Sequence, residues 1–122
     1  MKPHERLSYS PIVGRPRLVL PGGARMVVWV IVNIEEWDID EPMPRTVLTP
    51  PAGGQPSPDI PNWAWHEYGN RVGFWRMLEV FDQFKLPAVL AVNGSCFKTY
   101  PQIAEAAQAR QLSSLGTRVS AA

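Results

Sequence analysis

Several things are scarce in this chain, and each scarcity removes a class of protein. There is one cysteine, Cys96, so no internal disulfide can staple the fold, and a reducing compartment is favoured. There are two histidines, His4 and His66, too few and too far apart for a histidine-built metal centre. No stretch reaches the roughly 18 consecutive apolar residues of a membrane span. Met1 to Arg6 is polar and leads into no apolar segment, so no secretory signal is read and the cytoplasm is the expected location. Twelve Lys and Arg stand against eleven Asp and Glu, a net charge of +1 with no basic stripe, so nucleic acid is not an expected partner. At 122 residues the chain holds at most one domain, about half of the roughly 250 residues of a closed (β/α) barrel.

What is abundant is proline, thirteen residues unevenly spread, and their placement gives the organisation. Residues 1–23 read as an irregular arm broken by Pro11, Pro16, Pro21 and Gly22-Gly23. Seven prolines between Asp38 and Pro61 exclude a helix interior or a central strand, so 38–61 is expected to be a long loop, either a rim over a site or disordered. Between arm and loop lies the most hydrophobic stretch. In Met26–Ile34 eight of nine residues are apolar, and Val27, Val28, Val30, Ile31, Val32 and Ile34 are branched at Cβ, which suits a pleated strand. A strand apolar on both faces predicts a central parallel strand over 24–34, covered on both sides. It runs directly into Glu35, Glu36, Trp37 and Asp38. Sites in α/β folds are built at the C-terminal ends of strands, so the paired carboxylates are the leading functional signal.

Asn62–Gly73 concentrates Trp63, Trp65, His66, Glu67, Tyr68 and Arg71 in twelve residues. It reads either as a turn into a helix with Asn70 as N-cap, or as a second wall of the site with His66, Glu67 and Arg71 as polar groups. Phe74, Leu78 and Phe81, widened by Met77 and Phe84, give a helical stripe over 71–85, ended by Pro87. Ala88–Val92 reads as a second buried strand, completing a βαβ unit. Asn93-Gly94-Ser95 then leaves on the same edge as Glu35 and Glu36, so Asn93 is a candidate binding residue. Cys96 has no local base and is expected to be structural. Thr99-Tyr100-Pro101-Gln102 has the form of a capping box, with Thr99 as N-cap of a helix reaching about Arg110. From Gln111 onward the pattern fades and no third strand is predicted.

Four passages together resemble the N-terminal part of the polysaccharide deacetylase (NodB-homology) family. They are Val32-Asn33-Ile34-Glu35-Glu36, Tyr68–Arg76, Lys85–Gly94 and Tyr100–Ala106, spanning roughly 16–110. Glu-Glu in the first motif is closest to the allantoinase-like, amide-hydrolase branch. The resemblance implies an α/β fold, the N-terminal portion of a distorted (β/α) barrel with parallel strands. It implies hydrolysis of carbon–nitrogen bonds other than peptide bonds, on a carbohydrate or a small amide or ureide.

It further implies Glu35 as general base and Glu36 as ligand of a divalent, zinc-like metal (which some members of the branch lack); Trp37, His66, Glu67, Arg71 and Asn93 are, from their positions in the chain, the candidate substrate-binding residues beside that pair. The histidine pair of the family's second motif has no counterpart here, and 111–122 does not match. The expectation is therefore a truncated, inactive piece of the barrel whose unpaired strand edges favour homo-oligomers or aggregation. The alternative is a small non-catalytic module whose aromatic segment binds a sugar or a protein.

Overall fold

The computed structural model describes residues 6, 8–50, 53–54 and 56–117. Three parallel strands form an open sheet in the order β1 (Ile31–Ile34), β2 (Val89–Asn93) and β3 (Ser113–Thr117). Between β1 and β2 lie α1 (Ile60–Tyr68), a π turn (Gly69–Gly73) and α2 (Phe74–Phe84). Between β2 and β3 lie α3 (Cys96–Thr99) and α4 (Pro101–Ala109). Two one-turn 3-10 segments, Ile12–Gly14 and Pro21–Gly23, punctuate an otherwise irregular N-terminal arm. His4 and the last five residues lie outside the described residues.

The third strand corrects the sequence reading, which ended the pattern at Arg110. Ser113-Ser114-Leu115-Gly116-Thr117 has few of the branched apolar residues that mark a strand. It pairs with β2 in register from Val89–Ser113 to Asn93–Thr117, so neighbouring backbone, not side-chain propensity, makes it a strand.

What delivers it there is a turn used twice. After α2, Lys85 takes the left-handed conformation (φ 51°) and Leu86 N–H donates to the Phe81 carbonyl at 2.9 Å. After α4, Gln111 does the same (φ 54°) and Leu112 N–H donates to the Ala107 carbonyl at 3.0 Å. This is the C-terminal stop that glycine usually provides, here made by two long polar residues. Each turn reverses the chain toward the next strand.

Two further expectations change. The strand predicted over 24–34 is a strand only from Ile31. Val89 N–H still reaches the Val30 carbonyl at 3.0 Å. The residues that would flank 26–29 on the β2 side are the end of α2, its turn and Pro87, which has no N–H to give. Nor is the strand covered on both sides. Val32 and Ile34 are buried, whereas Ile31 is 46% exposed and Asn33 is exposed. Val32, Ile34, Leu90 and Val92 share one core with Phe74, Leu78 and Phe81 of α2 and Ile103 and Ala107 of α4. Alternation along a strand puts those strand residues on a single face. Both long helices therefore pack on the same side of the sheet, and the opposite face carries Ile31, Asn33, Val89, Ala91 and Leu115.

The first helix also begins earlier than the sequence suggested. Asp59, not Asn70, is the N-cap, its carboxylate accepting from Asn62 N–H at 3.2 Å, with Pro61 in the first turn. Asn62 does more than extend the cap. Its side-chain oxygen accepts from Val47 and Leu48 N–H at 2.7 and 2.8 Å, and its amide donates to the Leu48 carbonyl at 2.9 Å and to Asp59 at 2.8 Å. One buried amide thus pins the middle of the proline-rich loop to the helix start, while Met43 is buried from the same loop. Thr99 likewise is not the cap of α4. Tyr100 occupies that position without a side-chain cap bond.

Candidate functional site

The C-terminal end of the sheet gathers the polar residues nominated by sequence. Glu35 and Glu36 follow β1 directly. Asn93 closes β2, one residue beyond Val92, which pairs with Ile34. The helix running through α1, the π turn and α2 crosses this end. A π turn is one residue wider than an α turn and is often retained where a site needs a particular side-chain direction. Here His66 Nε2 lies 2.9 Å from the Glu35 carbonyl oxygen, and Asn70 donates its amide to the same oxygen at 2.8 Å. Two side chains four residues apart thereby fix the peptide group that joins the two acids.

From that peptide the acids diverge, as successive residues of an extended chain must. The Glu35 carboxylate turns toward α1 and accepts the Trp37 indole N–H at 2.9 Å. The Trp37 ring lies flat on the His66 imidazole, centroids 4.1 Å apart and planes within 4°. The Trp63 indole N–H donates to the Trp37 carbonyl at 3.1 Å. Trp37 is thus a buried wall against which His66 is stacked. The Glu36 carboxylate turns toward α3 and accepts the Thr99 hydroxyl at 2.5 Å.

Glu67 sits deeper, 4% exposed. A carboxylate there needs strong donors, because stripping water from it without replacing the hydrogen bonds is costly. It has two. Arg71 Nε donates at 2.7 Å from the next turn, and the Tyr100 hydroxyl donates to the other oxygen. The Arg71 guanidinium, held by that bond, is pushed up from its ordinary pKa, and most of its side chain remains in solvent. Burial, then the bond to Glu67, pushes the Tyr100 phenol up to about 12. Cys96, fully buried under the acids, points its thiol at the Ile34 carbonyl, 3.6 Å away. Burial first, and then the charge of Glu36, raises its pKa to about 11, which disfavours the thiolate, and the side chain packs in the core.

The fold therefore brings Glu35, Glu36, Trp37, His66, Glu67 and Arg71 around one end of the sheet, with Asn93 on the neighbouring strand. It adds Asn70, read from sequence only as a helix cap, and two residues after β2, Thr99 and Tyr100. The signal for the latter two was topological: they follow the end of β2 within seven residues, on the edge where loops build sites. Among the described residues no group of three or more His, Cys, Asp or Glu side chains stands close enough to hold a metal ion. Beside the free edge of β1, a cleft of about 400 Å³ is lined by Val32, Ile34, Trp65, Tyr68 and Met77, among others. A second cleft, about 380 Å³, lies between Arg71, Trp75, Tyr100 and Gln102. Among the described residues no helix is long and apolar enough to cross a membrane. No family model matches the chain, and neither does any curated protein or solved structure.

Proposed function

We propose that this chain carries the strand-end acid site of a hydrolase of the polysaccharide deacetylase type, acting on carbon–nitrogen bonds other than peptide bonds. The observation that carries the reading is the fixed Glu35–Glu36 peptide at the C-terminal end of β1, clamped by His66 and Asn70. An amide or ureide carbonyl is a poor electrophile, and water attacks it only if a base removes a proton as the bond forms. Glu35 is the base. Its carboxylate is aimed by the Trp37 indole and retains lone pairs for a water. His66, stacked on Trp37, keeps that aim. Arg71 and Tyr100 border the groove in which the rest of the substrate lies, and Asn93 sits at the level of Glu35 on the next strand.

Among the described residues no group of three or more His, Cys, Asp or Glu side chains is placed to hold the divalent metal that the family resemblance implies, and Glu36 is engaged by Thr99. The packing of α2 and α4 on one face of a parallel sheet supports a sector of a (β/α) barrel, since a doubly wound sheet is covered on both faces. A second reading, a non-catalytic module, is favoured by Trp65 and Tyr68, which stand exposed along the cleft beside β1.

Saturation-transfer NMR with an N-acetylated chito-oligosaccharide, allantoin and a cyclic imide tests the proposal. At least one is expected to bind, and Glu35→Ala is expected to weaken it. Binding that ignores Glu35 supports the module. Binding of none removes the hydrolase reading. In hydrolysis assays with and without zinc, turnover no greater than the Glu35→Ala control is expected from this chain alone, and Glu35-dependent turnover would show that the residues present suffice.

A further inference from the structure

We infer that the free edge of β1 pairs with the same edge of a second copy of this chain, antiparallel about a two-fold axis at Val30. Among the described residues β1 is an outer strand, with β2 as its one neighbour. Upstream of it, Met26, Val27, Val28 and Trp29 are between 61% and 78% exposed. No charge or proline interrupts 26–34, so the devices that keep edge strands apart are missing there.

The edge is complementary to itself in three independent ways. First, alternation matches. In this register Met26 stands opposite Ile34 and Val28 opposite Val32, on the face covered by the helices, while Trp29 meets Ile31 on the open face. Second, the shape matches. The cleft beside β1, lined by Val32, Ile34, Trp65, Tyr68 and Met77, lies where Met26 and Val28 of the second copy arrive, so each copy holds both the plug and the recess. Third, charge matches. Arg25 precedes the run and Glu35 follows it, so Arg25 of one copy falls opposite Glu35 of the other at both ends of the pair. A two-fold contact needs one patch to complement itself, and this patch does. The partner thereby places a guanidinium beside the carboxylate of the candidate site.

Sedimentation equilibrium of the full chain over a concentration series tests this. A monomer–dimer equilibrium is expected. Val28→Lys, which inserts a charge into the seam, and Arg25→Glu, which sets like charges opposite each other, are each expected to weaken the dimer by roughly tenfold or more. Combining Arg25→Glu with Glu35→Arg is expected to restore part of the loss. Circular dichroism of each variant, unchanged from the parent, separates a lost interface from a lost fold. A parent chain that stays monomeric throughout, or a dimer indifferent to Val28→Lys and Arg25→Glu in folded variants, overturns the inference. Neither result touches the hydrolase reading, which rests on Glu35 within one copy.

Discussion

The two ends of the sheet are built on opposite terms. At the C-terminal end, polar groups ranging from exposed Thr99 to buried Glu67 are bonded to one another: Glu35 to Trp37, Glu36 to Thr99, Glu67 to Arg71 and Tyr100. At the N-terminal end, apolar side chains from Met26 to Trp29 stand in solvent beside the exposed ion pair of Arg110 with Asp82. A sheet stabilised only by its core would show neither feature. The first end holds charges that folding alone does not require, the second exposes surface that folding alone would bury. On the two proposals made above, the first end is the part that meets substrate and the second the part that meets a second copy.

The same contrast ranks the expected effects of substitution. The largest belongs to neither end. Leu90, fully buried in the central strand, is expected to lose about 3 kcal/mol of stability as Leu90→Ala in chemical denaturation, and a loss under about 1 kcal/mol would mean the core is loosely packed. Next comes Glu67→Ala, expected to cost about 2 kcal/mol, because it strands the Tyr100 hydroxyl as well as removing a buried acid. Glu67→Gln, whose amide oxygen can still accept from Arg71 and whose NH2 can donate to the Tyr100 hydroxyl oxygen, is expected to lose less.

Tyr100 gives a pH signature. Its phenol binds its proton more tightly folded than unfolded, so its contribution to stability is intact below pH about 10 and is lost as the pH rises toward about 12. Melting temperature measured across that window should fall, and Tyr100→Phe should flatten the fall. Cys96, buried and with its pKa near 11, is expected to react with a disulfide reagent at neutral pH only as fast as the chain opens. Smallest of all is Asp82→Asn at the open end, where solvent screens the pair with Arg110. No measurable shift in melting temperature is expected, and a large one would erase the distinction between the two ends.

Much of this was legible from sequence wherever side-chain pattern and packing agree. Phe74, Leu78 and Phe81 announced α2, and the run ending at Ile34 announced that two acids would be delivered to a strand end. What escaped was decided by backbone geometry or by partners distant in sequence. Lys85 and Gln111 take a conformation expected of glycine, so the second return to the sheet left no mark, and β3 is a strand because β2 is beside it. Asn62 and Asn70 each read as a local turn or cap residue. One pins a loop fifteen residues upstream, the other a carbonyl thirty-five residues away. Hydrophobicity alone also misplaced the start of β1, because among the described residues 26–29 have no strand to pair with.

The proposed ligand site is the C-terminal end of the sheet. Amide chemical-shift mapping during titration with an N-acetylated chito-oligosaccharide, allantoin or a cyclic imide tests it most directly. Shifts are expected to cluster on Glu35–Trp37, His66–Arg71 and Asn93–Tyr100. Shifts confined to the exposed N-terminal end, around Val28, Leu86 and Arg110, would contradict it.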